Sequence, residues 1–276
     1  KKGGLICLML FASMPAQLNA RNLPAFNRQK ADSLATRQIV YNGRVAPFNT
    51  LARDFVLKIY GSSSYQGLTP EQVVSGWLLR PDAWQNEPMF YIKNAELRSL
   101  LHIDGKYARF TDLFDAQGNY LLQHYWKGGN TQTEPNDPLQ KAIMETDEKV
   151  GLIMMLQKGT LITPLPTDGS VEPLSATHIQ AELLYNRLPI SKVLFMVNLA
   201  LGFLAFGRLV YRNIYARTAT LTDRYLLPSA TYLSTLLLLF SYGLRWYVAG
   251  HIPMSNGFET MQFMALITLV VSCLLH

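Results

Sequence analysis

The sequence predicts an α+β domain followed by a set of transmembrane α-helices, and three observations predict it. Residues 21–188 mix polar, charged and apolar positions in the way of ordinary globular chain, with turn signals between short periodic segments. Residues 189–276 are dominated by apolar runs, three of which approach the length of a bilayer span. Between the first two runs Arg208, Arg212, Arg217 and Arg224 gather with only Asp223 opposing them, the signature of a loop held on the cytoplasmic side. The average of the whole chain, 49% hydrophobic residues and a mean hydropathy of +0.08, is therefore the average of two unlike halves.

Residues 1–20, KKGGLICLMLFASMPAQLNA, have a basic start, a short apolar centre and a small-residue end. That pattern suits an export signal, and the same residues also suit the end of a membrane helix. Residues 21–188 then form the α+β domain. Thr50–Tyr60 reads as a helix, with Leu51, Phe55 and Ile59 four apart and Gly61 at its stop. Thr69-Pro70-Glu71-Gln72 combines a capping threonine, a first-turn proline and a reciprocal glutamine, and so begins a helix expected to bury Val73, Val74, Trp77 and Leu78. Met89–Ile92 and Tyr107–Phe110 are short strands. Ala95–Leu101 and Leu139–Lys158 are helices, the second placing Leu139, Ile143, Val150 and Ile153 on a shared face. Pro135, Pro138, Pro164 and Pro166 punctuate loops.

Ala181–Leu188 reads as an entry helix and Pro189 as its break. Spans are expected over 190–211, 225–248 and 261–276, with Pro228 tolerated near the start of the second. The arginine-rich loop then lies inside, and residues 21–188 lie outside together with the connection after the second span. The run to His276 ends within apolar sequence, so the chain is expected to be a piece of a longer protein.

The net charge of +6 belongs largely to that arginine loop, which argues against a nucleic-acid-binding patch. Cys7 and Cys273 sit far apart in apolar segments and form neither a CxxC pair nor a disulfide framework. No nucleotide loop, Ser-His-Asp order or zinc spacing is present, and no CxxCH site marks the chain as a cytochrome itself. His102, His124 and His178 share no spacing, and Trp77, Trp84 and Trp126 read as core or interface aromatics.

Chemistry concentrates instead in one connection between spans, RWYVAGHIPMSNGFETMQFMA, from Arg245 to Ala265. A connector needs only turn formers, supplied here by Gly250, Pro253, Asn256 and Gly257. This one adds Trp246, Tyr247, His251 and Glu259. Trp246 and Tyr247 suit an aromatic belt at a membrane boundary or a platform for a flat ligand. Arg245, a cation at an outer boundary, could pair with Glu259 or with a ligand carboxylate. Glu259 suits a helix N-terminus. His251 could hydrogen-bond a loop carbonyl or face a metal centre, and a haem iron is held by as little as one imidazole.

The residues Gly250, His251, Pro253, Ser255, Asn256, Phe258, Glu259 and Thr260 resemble the G-H-x-P-x-S-N-x-Y/F-E-[ST] signature of the CcsA/ResC family. YNGRVAPFNTLARDF and LTPEQVVSGWL are similar to the outer segment of fused CcsB–CcsA proteins of Bacteroidetes-type bacteria. The family's W-G-x-Y-W-x-W-D motif is absent from these residues. The resemblance implies a multi-pass protein of the bacterial inner membrane, bathed in membrane lipid, with residues 21–188 periplasmic. It implies System II cytochrome c biogenesis, in which haem b is exported and presented to the CxxCH thiols of apocytochrome c, with a thiol-reducing protein as a further partner. The whole protein would act as a holocytochrome c synthase, and this stretch alone would not catalyse the attachment. The family's axial histidines flank its tryptophan-rich motif. The resemblance therefore places His251, with Trp246, Arg245, Glu259 and Asn256, at the mouth of a haem cavity. A membrane-anchored sensor and a transporter with an inserted outer domain are the competing readings. The short arginine loop disfavours the first, and the lack of mid-span ionisable residues between Lys192 and Arg208 disfavours the second.

Overall fold

The computed structural model describes residues 23–125, 137–188, 190–216 and 218–274. The N-terminal run 1–20 with Cys7, and Trp126, Pro135, Pro189, Arg217 and His276, lie outside the described residues. The chain is mostly helical with small sheets, and it divides into two compact units. One holds Leu51–Thr163 and the described residues up to Ala35. The other holds Thr36–Thr50 and the described residues from Pro164 onward.

In the first unit, α1 (Arg28–Ala35) packs on α3 (Pro70–Leu79). Helix α2 (Phe48–Tyr60) begins in the second unit and runs on from Leu51 into the first, burying Phe55, Val56 and Ile59. It stops at Gly61, whose φ of +84° is open to glycine and strained for other residues. The capping box expected at Thr69 is formed, with Gln72 N–H donating to Thr69 and Thr69 N–H to the Gln72 side chain. Val73, Val74 and Trp77 of α3 are buried as expected, but Leu78 is 43% exposed. The buried arc of α3 runs instead through Gly76, against which the Trp84 indole of α4 (Pro81–Trp84) lies so closely that a Cβ there would overlap the ring. Trp77 meets Phe90 edge-on with centroids 6.5 Å apart and Phe110 likewise at 6.0 Å, packing α3 on strand β3 (Phe90–Tyr91).

Strand β3 pairs antiparallel with β4 (Tyr107–Ala108), around α5 (Ala95–Leu100), inside the stretches expected to be strands. Helix α6 (Pro138–Gln157), capped by Asp137, buries Ile143, Val150 and Ile153 of the expected face, while Leu139 in its first turn is half-buried.

Buried Tyr65 donates to Glu87 at 2.8 Å. Burial, and then the Glu87 carboxylate, pushes the Tyr65 phenol well above its ordinary 10.0. Below pH 10 the folded and unfolded chains both hold this proton, so the contribution is intact. Above it the unfolded chain ionises while Tyr65 does not. Stability is expected to fall with rising pH by up to about 1.4 kcal/mol per unit. Urea unfolding at stepwise alkaline pH checks this, and Tyr65→Phe should flatten the slope.

The second unit opens with a hairpin, β1 (Gln38–Tyr41) and β2 (Arg44–Pro47), in register Tyr41↔Arg44. Asn42 and Gly43 form its two-residue turn with φ of +51° and +75°, the left-handed pair that such a turn demands. A short strand β5 (Thr163–Pro164) completes the sheet in the order β2-β1-β5. Helix α7 (Ala176–Arg187), longer than the expected entry helix, packs on β2 and on α9.

Among the described residues, three helices are long and apolar enough to cross a membrane: α8 (Ile190–Tyr215), α9 (Leu227–Ala249) and α10 (Gly257–Leu274). A π-helical turn, Thr222–Leu226, leads into α9. Asp223 of that turn is paired with Arg208, so one arginine of the cluster is neutralised locally. Leu194, Leu238, Tyr242 and Leu266 form the small buried centre of the bundle. Ser234 of α9 donates to Asn198 of α8 at 2.8 Å, the kind of polar link that joins helices in an apolar solvent. Phe195, Met196, Phe203 and Phe206 of α8 are exposed, a surface suited to lipid.

The third span begins at Gly257, four residues before the expected Met261. The sequence GFET reads as loop because a glycine, a carboxylate and a hydroxyl surround its one phenylalanine, yet Asn256 and Glu259 are the residues that start a helix.

Candidate functional site

The connection from α9 to α10 is built by its own polar residues. Helix α9 ends on Gly250, left-handed at φ +72°, with its N–H bonded to Trp246 O at 3.0 Å. The next helix is started by Asn256, whose side-chain oxygen accepts the Glu259 N–H at 2.9 Å. Glu259 answers by accepting the Ser255 N–H at 2.9 Å. This is a capping box displaced by one residue, since the carboxylate takes the amide just before the cap. Thr260 donates its hydroxyl to Asn256 O at 3.1 Å, and Tyr242 donates to Pro253 O at 3.4 Å. The seven residues between the two helices, 250–256, are thus held by contacts with both.

Arg245 and Glu259 form an ion pair, as their sequence placement allowed. Nε and Nη2 of Arg245 both donate to one Glu259 oxygen, at 2.9 and 2.8 Å. Glu259 is only 3% exposed, so its charge relies on Arg245, the Ser255 amide and the N-terminal end of α10. The Arg245 guanidinium lies 5.6 Å from the centroid of the Tyr185 ring, a cation–π contact from α7.

His251 is exposed, and its Nδ1 lies 3.0 Å from Ile252 O. A carbonyl only accepts, so in the neutral ring Nδ1 carries the hydrogen and Nε2 keeps its lone pair. Metal-binding histidines use the same device, with the far nitrogen tied to a carbonyl. Trp246 and Tyr247 are also exposed at the end of α9. The five residues singled out in the sequence thus sort into two groups. Arg245, Glu259 and Asn256 build the loop, whereas His251 and Trp246 are displayed by it.

Two further residues lie beside the loop: His178, which the sequence presents as a surface or core histidine, and Tyr185, which sequence reasoning passed over. His178 of α7 lies 3.2 Å through Nε2 from Val248 O, one of the last carbonyls of α9, and its ring lies 5.1 Å from that of Tyr247. Tyr185, seven residues on, covers Arg245. A histidine and a tyrosine spaced i, i+7 on a helix entering a membrane share one face, and that spacing was the available signal. His102 sits instead in an exposed turn at φ +54°.

Among the described residues no group of three or more His, Cys, Asp or Glu side chains is arranged to hold a metal ion. The first unit carries a cleft of about 520 Å³ above Lys149, but that ammonium is already held by Tyr91 O at 2.6 Å and Glu145 at 2.9 Å.

No family model matches the chain. Over an alignment of 287 residues it is 29% identical to Protein NrfI of Wolinella succinogenes. The match takes in 81% of this chain and 31% of that protein, so the chain spans about a third of the length of the curated relative it matches.

Proposed function

We propose that the chain is part of a membrane protein of cytochrome c biogenesis, of the System II type in which a CcsB-like outer segment is fused to CcsA-like spans. The likeness to Protein NrfI over most of this chain supports the reading, as does the density of the family signature from Gly250 to Thr260. The observation that carries it furthest is the loop itself. A polar lattice of Arg245, Glu259 and Asn256 spends its hydrogen bonds on shape, and it leaves an imidazole lone pair and an indole on display at the end of a span.

In this reading haem b is the substrate, carried outward through the bundle of the whole protein, and the loop lines the mouth of its cavity. Trp246 offers a face for the porphyrin, and His251 turns Nε2 toward it. The porphyrin is then presented to the CxxCH thiols of apocytochrome c. Reduced haem and thiols kept reduced by a partner protein are needed for thioether bonds to form, and the whole protein would act as the synthase. The arginine loop faces the cytoplasm and the histidine loop faces the periplasm across the inner membrane.

The test is the absorption spectrum of the longer, detergent-purified protein with and without His251→Ala. Co-purified haem whose Soret band shifts or disappears in the variant supports the cavity-mouth role. An unchanged band makes His251 a purely structural loop residue. A protein that carries no haem under any reducing condition overturns the haem reading.

A further inference from the structure

Helix α7 is tied to two parts of the second unit through one stripe of its surface. At about 100° per residue, His178 and Tyr185 fall within about 20° of each other. Glu182 and Asn186 lie next to them, about 40–100° round the same side. The second pair grips the start of the unit. Glu182, 1% exposed, accepts both nitrogens of Arg44 from β2, at 2.6 and 3.0 Å, and the Thr50 hydroxyl at 2.7 Å. Asn186 donates to Asn49 and Thr50, each at 3.0 Å. The first pair grips the end of α9. His178 meets Val248 O, and Tyr185 covers the guanidinium that holds Glu259 and, through it, the Ser255 amide.

We propose that α7 is a strut that sets the loop 250–256, and that Tyr185 and His178 are positioning residues of the site. The path is continuous and every step is a contact already described: Arg44 to Glu182, along one rigid helix to Tyr185, then Arg245, Glu259 and Ser255. His178 adds a second point of hold. The last carbonyls of a helix have no partner within it, and an imidazole N–H supplies one to Val248. A loop that displays His251 and Trp246 at the end of a span therefore takes its geometry from a helix outside the span. The hairpin fixes that helix in turn. As a statement about haem this rests on the reading above; as a statement about the loop it does not.

The experiment is hydrogen exchange, read by mass spectrometry, of the peptide covering 250–256 in the full chain in detergent. Tyr185→Leu removes the ring from over Arg245 and should speed exchange there by roughly 2- to 30-fold. Tyr185→Phe keeps the ring over the guanidinium and should restore the native rate, a rescue that a role resting on the phenol hydroxyl would not produce. Glu182→Gln, on the hairpin side of the stripe, should speed exchange in the same peptide while α8 stays protected. Native exchange in Tyr185→Leu overturns the strut. So does Glu182→Gln that loosens the hairpin alone. Should Tyr185→Leu fail to fold, Glu182→Gln and His178→Ala decide the matter by the same readout. Haem absorption is recorded on the same samples. A loosened loop with an unaltered haem spectrum supports the strut and counts against the haem-mouth reading, so the two ideas fail separately.

Discussion

Arg245→Ala is expected to cost about 3–5 kcal/mol of stability, because it strips a carboxylate buried to 3% exposure of the guanidinium that pairs with it. Surface ion pairs are worth about 1 kcal/mol or less, and the burial of Glu259 is what moves this pair out of that class. The loss should concentrate at the connection between α9 and α10, where the Ser255 amide depends on the same carboxylate. Thermal unfolding in detergent gives the global cost. The double variant Arg245→Ala/Glu259→Gln should recover part of it, since the uncompensated charge is gone. A single variant as stable as the native chain would mean that Glu259 finds water or another donor at the membrane boundary.

Arg44→Met should produce a loss of similar size, about 3–5 kcal/mol, for the same reason in a different place. Glu182 is 1% exposed and would keep the Thr50 hydroxyl, a neutral donor. The Arg44 side chain is 37% exposed, so the reverse variant Glu182→Met leaves a cation able to reach water and should cost less. That asymmetry is a sharper check than either value alone. Equal losses from the two variants would show that shape, and not the stranded charge, sets the cost. Both variants should also speed exchange at 250–256 through α7.

Most helices were legible because their signals are local. The threonine-proline-glutamine start of α3, the glycine stop of α2 and the apolar face of α6 each lie within a few residues of the structure they specify. The hairpin was legible too and went unread, although Asn42-Gly43 between alternating residues is its direct mark. The Arg245–Glu259 pair could be suspected because both ends lie in one connection. The Arg44–Glu182 and Tyr185–Arg245 contacts could not, since they join residues 138 and 60 positions apart whose types alone say only that each is polar or aromatic. Hydropathy found the spans but misplaced the start of α10, because a capped first turn is polar by necessity. Likewise Leu78 seemed a core residue by period, until Gly76 turned the buried arc toward Trp84.

Gly250 carries a lesson about reading signatures. At φ +72° it reverses the chain after α9, and nothing crowds the place its side chain would occupy. An alanine there would meet no neighbour and still be penalised, by about 1 kcal/mol, for its backbone alone. The glycine that heads the motif is thus explained by chain direction. A saturation screen of 250–260 should therefore show two kinds of intolerance. Gly250, Asn256 and Glu259 would fail by lowering the amount of folded protein, whereas on the proposed haem-mouth role His251 would fail with protein levels intact. The ratio of activity to abundance, position by position, separates the residues that draw the outline from the one that the outline is drawn to display.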